Sequence, residues 1–169
     1  MRQFFVLIVL GFGLSFSACN LINNPCADNI CGNNATCDNG NCTCNFGYAK
    51  DANGACTVNW YDNFVGSWSV SDSCRANNYA SVANFESQHG IRFQNFADVF
   101  DNVYAGLTSD STFNISSTQY YNTSSSRFVY LESIGEGRMN AARTEFTLTY
   151  RITDLQTNVI TNCTSVWTK

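Results

Sequence analysis

The chain has 169 residues, enough for one medium domain or two small ones. It is 44% apolar and 14% aromatic, yet only 13% of residues are Asp, Glu, Lys or Arg, so its polar surface falls to Asn, Ser and Thr, residues that favour turns and strands over helices. The net charge is −4 with no run of Lys or Arg, which leaves little to neutralise phosphates and excludes nucleic acid as an expected partner.

Residues 1–18 read as a targeting segment. "MRQ" supplies one positive charge, and "FFVLIVLGFGL", Phe4 to Leu14, is an apolar stretch of eleven residues. That length suits the core of a signal peptide and is too short to span a bilayer stably. The run ends in "SFSAC". Ser17, Ala18 and Cys19 fit the bacterial lipobox, with Phe16 where Leu is usual, and the segment resembles it. The resemblance implies cleavage before Cys19, a thioether-linked diacylglycerol on its sulfur and acylation of its amine. Several acyl chains give stable membrane anchoring. Residues 19–25 would then be a short membrane tether. The alternative is ordinary secretory cleavage after Ser17, which leaves Cys19 unpaired. Either route leads to an oxidising compartment.

Six cysteines lie within residues 26–56, with gaps of four, five, four, one and eleven residues. About thirty residues cannot bury enough apolar surface to fold alone, so a covalently stapled module is expected. Spacing alone leaves fifteen connectivities open. "CTCNFGYAKDANGAC" carries a C-x-C-x-x-G-aromatic pattern through Cys42, Cys44, Gly47 and Tyr48, closed by Cys56. In this the segment resembles the EGF-like module. The resemblance implies the pairs Cys26–Cys37, Cys31–Cys42 and Cys44–Cys56. The calcium-binding subtype carries acids before its first cysteine, whereas here the approach is "NLINNP" and the third loop is only "DNGN". Asp28 and Asp38 are read as turn residues, and no metal is expected.

Residues 57–63 form a short joint carrying Trp60 and Tyr61. It is not a Gly/Ser linker, so the cysteine-rich module and the segment after the joint are expected to touch rather than swing freely. Residues 64–169 read as strands. "TEFTLTYRIT" places Phe146, Leu148, Tyr150 and Ile152 on one face, with Glu145, Thr147, Thr149 and Arg151 on the other, the alternation of a half-buried antiparallel strand. "FVGSWSVSDSC", "YASVANFES", "GIRFQNF", "NVYAGLT", "STFNIS", "RFVYLESI" and "VITNCTSVWTK" are seven further candidates. Only "ASVANFESQ" offers room for a helical turn or two. The fold class is mainly β: a small disulfide-rich module followed by an antiparallel barrel of about eight strands, or alternatively a sandwich. "NTSSSR", Asn122 to Arg127, reads as an exposed loop.

Cys74 ends the first of these strands and Cys163 lies in the last. Parity supports pairing them, the alternative being two buried free thiols. An antiparallel pairing that faces Cys74 with Cys163 sets Val70 opposite Trp167, a favourable cross-strand contact. It also joins first strand to last, as barrel closure requires. With eight cysteines so placed, Cys19 alone lacks a partner. Gly66 and Trp68 match the Gly-x-Trp that opens lipocalin and calycin barrels, which this segment resembles. The resemblance implies a Trp at the closed end beside a late-chain Arg, for which Arg151 is the candidate, with Trp167 in the same barrel-closing core.

Catalysis finds little support. His89, the one histidine, is read in a turn, and Asp98 and Asp101 as solvated loop carboxylates. No phosphate-cradling glycine loop or metal-ligand cluster stands out, so neither catalytic residues nor cofactors are expected. The Asn-x-Ser/Thr signals at Asn34, Asn41, Asn114, Asn122 and Asn162 are glycosylation acceptors only in a eukaryotic secreted protein. The expectation is an envelope lipoprotein of the outer membrane or cell surface, or alternatively a secreted protein. It would act as a non-catalytic binding or adhesion module with a protein or glycan partner. A second expectation is a calycin-like carrier of a small apolar ligand, and a third, a hydrolase, would require clustered carboxylates or a base beside Ser or Thr in a cleft.

Overall fold

The computed structural model describes Cys26 and residues 31–169. The expected signal segment, the expected lipid site Cys19 and the expected tether to Pro25, together with Asp28, lie outside the described residues. The chain divides into two compact units, one ending at Thr43 and one of Cys44–Lys169.

In the first unit the strands β1 (Ala35–Asp38) and β2 (Asn41–Cys44) pair. Asn39 and Gly40 join them, both at positive φ, as a two-residue hairpin turn requires. The disulfides Cys26–Cys37 and Cys31–Cys42 staple it.

The second unit opens with the bridge Cys44–Cys56 and the short antiparallel pair β3 (Tyr48–Ala49) and β4 (Val58–Asn59). Gly47 precedes them at φ +92, a conformation that glycine adopts without a side-chain clash. Its carbonyl accepts the N–H of Trp60, the first residue of the 3-10 turn Trp60–Asn63.

The barrel comes next: β5 (Gly66–Asp72), β6 (Tyr79–Ser87), β7 (Gly90–Gln94), β8 (Val103–Leu107), β9 (Thr112–Asn114), β10 (Thr118–Asn122), β11 (Arg127–Ser133), β12 (Gly137–Met139), β13 (Glu145–Asp154) and β14 (Ile160–Thr168). Its closed ring runs β5-β6-β7-β8-β9-β12-β13-β14 and back to β5, eight antiparallel strands. The hairpin of β10 and β11 extends the wall: β11 and β12 pair with successive lengths of β13. Thus β9 with β10, and β11 with β12, are each one interrupted strand. "YASVANFES" is strand throughout, so no helical turn forms there; its alternating apolar residues are satisfied by the sheet.

Inward faces fill the ring. Trp68, Trp167, Phe64, Phe93, Phe113 and Phe146 are all at most 2% exposed. Phe146 stacks on Trp167 with ring centroids 4.9 Å apart and meets Trp68 edge-on at 4.7 Å. Such rings bury large apolar areas and fix one another's geometry. One end is closed below Trp68. Its indole N–H donates to the Phe64 carbonyl at 2.8 Å. Arg143 pairs with Asp110 at 2.6 Å, and Asn63 donates to the Asp110 carbonyl.

The seam between first and last strands has the expected register, with Trp167 opposite Val70. The disulfide Cys74–Cys163 lies just beyond it. No helix among the described residues is long and apolar enough to cross a membrane.

Candidate functional site

The far end of the barrel, opposite Trp68, carries the least regular chemistry. Between β7 and β8 the chain turns inward. Phe96, Ala97 and Phe100 are at most 1% exposed, and Phe96 lies 5.0 Å from the Tyr150 ring. Asn95, Ala97, Asp98 and Asn102 all have positive φ, a conformation that costs non-glycine residues energy and persists only where surroundings over-determine it. The surroundings here are hydrogen bonds. The Ala97 N–H donates to the Tyr79 hydroxyl at 3.0 Å. Tyr79 in turn donates to Asp72 Oδ2 at 3.2 Å, and Tyr150 donates to the same oxygen at 2.6 Å. The Cys74 N–H donates to the other carboxylate oxygen at 2.9 Å. This inward loop plugs the centre of the mouth.

Burial, reinforced by the neighbouring Asp72 carboxylate, pushes both phenols well above the ordinary tyrosine range. They are donors held protonated, which suits a structural clasp and not a general base. Asp72, Cys74 and Cys163 place ligand-type atoms within 4.8 Å of one another. With both sulfurs in a disulfide, that cluster has no thiolate to offer and only one carboxylate, too few ligands for a metal.

Beside the plug, the mouth keeps a cleft of about 320 Å³. Val129 and Ile152 form its floor, and Asn122, Arg127, Asp154 and Thr161 rise around it. Arg127 pairs with Asp154 at 3.0 Å. Backbone N–H groups of Thr157 and Gln156, both 2.8 Å from the carboxylate, add to this. The Thr157 N–H, then Arg127, hold the Asp154 carboxyl down at about 2. The cleft is therefore polar and carries fixed opposite charges.

The outer face of the same region is aromatic. Tyr121 on β10 stands opposite Phe128 on β11, ring centroids 5.3 Å apart. Tyr130 lies two residues along, and Tyr104 projects from β8. These four rings are 43–49% exposed. Exposed large aromatics gathered on one face mark interaction surfaces more often than isolated ones do.

Trp68, Gly66 and Trp167 sit at the closed end as the sequence suggests, but Arg151 does not. It faces outward near the mouth and pairs with Glu132. The alternation of β13 explains this: Phe146, Leu148 and Tyr150 point inward, so residue 151 points out. The cation at Trp68 is Lys169, whose Nζ lies 4.7 Å from the ring centroid. His89 is exposed in the β6–β7 turn, its ring 4.5 Å from Phe46. Asp98 and Asp101 are exposed, and both accept hydrogen bonds from Asn95. The plug and the Asp72 clasp were missed by sequence reasoning. The only hint was an acid, Asp72, at an inward position of a strand otherwise apolar on that face.

No family model, no curated protein and no solved structure matches this chain.

Proposed function

We propose that the protein is an exported, lipid-anchored binding module whose barrel head recognises its partner on the outside of the wall. The observation that carries this reading is the aromatic face of Tyr104, Tyr121, Phe128 and Tyr130 on a barrel whose interior is solidly packed. The four disulfides belong to an extracytoplasmic compartment. "SFSAC" supplies the anchor by its resemblance to the lipobox, with diacylglycerol on Cys19. The six-cysteine segment, resembling an EGF-like module, serves as a stapled stalk at a bacterial cell envelope. The one hydroxyl–carboxylate pair in the cleft, Thr157 with Asp154, has its carboxyl held down at about 2 and tied to Arg127, which makes it a poor base for activating a hydroxyl, so a binding role fits better than catalysis.

Intact mass of the protein extracted in detergent from producing cells tests the anchor. The expected mass is that of the chain from Cys19 plus a diacylglyceryl group, with eight cysteines oxidised. A mature chain beginning at Ala18 with an alkylatable Cys19 overturns it.

The cleft of about 320 Å³ favours a second reading, a small-molecule carrier, because it reaches the lower bound of ligand pockets. Its Arg127–Asp154 pair suits a polar ligand better than the small apolar one expected from a calycin barrel.

A further inference from the structure

We propose that the barrel wall between β8 and β10 is a docking seam for an extended, uncharged peptide segment, which enters as an additional strand. The inference rests on the binding-module reading and names the partner's chemistry.

The wall is incomplete there. β8 pairs with β9 only through Gly106↔Asn114 and Leu107↔Phe113. The chain then bends away after β9, where the Ile115 N–H donates to the Ser133 hydroxyl. β10 consequently pairs with β11 alone. Across the gap, the Tyr104 N–H donates to the Tyr120 hydroxyl at 3.2 Å. A side chain thus stands where a backbone carbonyl would be, so the strands lie farther apart than the roughly 4.8 Å of paired neighbours.

Natural proteins protect such edges with Lys, Pro or a bulge. β10 reads Thr-Gln-Tyr-Tyr-Asn and β8 reads Val-Tyr-Ala-Gly-Leu. Neither carries a charge or a proline, and the β10–β11 register is unbroken. The exposed banks are Tyr104 on one side and Tyr121 on the other. The geometry selects among occupants. A second folded copy can reach one edge from outside but cannot enter between two strands of a wall. A single extended chain can pair with both edges, and its alternate side chains then meet Tyr104 and Tyr121. This is strand addition, in which main-chain bonds give affinity and alternate side-chain contacts give specificity. Uncharged banks call for an uncharged segment rich in β-branched and aromatic residues.

The test uses the full chain in detergent and a capped hexapeptide, Thr-Tyr-Thr-Val-Thr-Phe, read by amide hydrogen exchange. The expected result is slowing of at least about tenfold at saturating peptide for the amides that face the seam, those of Tyr104, Gln119 and Tyr121, an effect lost when alternate peptide nitrogens are methylated. Tyr104→Lys and Tyr121→Lys should each weaken binding about tenfold without altering the circular dichroism. Tyr120→Phe, which frees the Tyr104 N–H, should tighten it. The proposal is overturned by protection elsewhere or by none. It is equally overturned by peptide-independent dimers protected at Thr118–Asn122, or by cellohexaose protecting the seam where the peptide does not. Any of these with the lipidated mass intact rejects the seam and leaves the anchored-module reading standing.

Discussion

The Tyr150 hydroxyl donates to Asp72 Oδ2 at 2.6 Å across 78 residues of sequence, and both side chains are buried. A hydrogen bond to a charged acceptor contributes about 1.5–3 kcal/mol, and losing it leaves a buried carboxylate short of a donor. Tyr150→Phe should therefore lower unfolding free energy by about that amount. Urea denaturation with an unchanged slope is the check. A loss well under about 1 kcal/mol would show that the clasp matters little.

Alkali should release the same clasp. Burial, first, and Asp72, second, raise the Tyr79 phenol, and burial with the hydrogen bond to Asp72 raises Tyr150. The folded state thus keeps protons that the unfolded chain loses near pH 10. This stability is complete below pH 10 and disappears as pH rises towards the folded values. Of the eight tyrosines, these two should ionise, by absorbance near 295 nm, only as the near-UV circular dichroism collapses.

Asp154 gives the opposite limb. Its carboxyl is held at about 2 by the Thr157 N–H and Arg127. The unfolded chain binds that proton first as pH falls. The contribution is present above the ordinary carboxylate value, near 3.9, and is lost as pH drops through about 2. Carboxyl NMR titration should find its midpoint near that value. Arg127→Gln should move it upward and leave it still below the usual range, because the backbone donors remain.

Gly137 tests how tightly the interior is packed. It pairs with Phe113, and a Cβ built on it would land on the Phe113 ring. Phe113 is wholly buried and touches Phe64, Phe93 and Phe146, so it has nowhere to retreat. Gly137→Ala should cost about 1–3 kcal/mol by overpacking. A neutral effect in thermal melting would reveal slack around Phe113.

Most of the wall could be read from the chain because sheet burial imposes period two. "TEFTLTYRIT" shows this directly. The facing of Val70 with Trp167 was legible because two cysteines fixed a register. β10 and β12 were not. β12 has three residues, and β10, Thr-Gln-Tyr-Tyr-Asn, shows no alternation in residue type because its two faces carry the same residue, Tyr120 half buried and Tyr121 exposed on the opposite face. The plug was hidden for a different reason. Phe96 looks like the fraying end of a strand, and only tertiary contacts, of Phe96 with Tyr150 and Trp167 and of Phe100 with Tyr120, show the loop turned inward. The cation at Trp68 differs from the Arg that the calycin resemblance implies: Lys169, two residues past Trp167 on the same face of the last strand, supplies it.

The bridge Cys74–Cys163 also sets how the head would carry tension. A pull applied before β5 and at Lys169 draws on the seam between β5 and β14. Four registered pairs, Ser69↔Thr168 through Asp72↔Ser165, can part under that load. The covalent link then takes it, and the 89-residue span between the sulfurs is left out of the force path. Under such a load the head would stretch by a short unzipping that reaches Asp72 and stops at the bridge, while the cleft and the aromatic wall lie on the bypassed span.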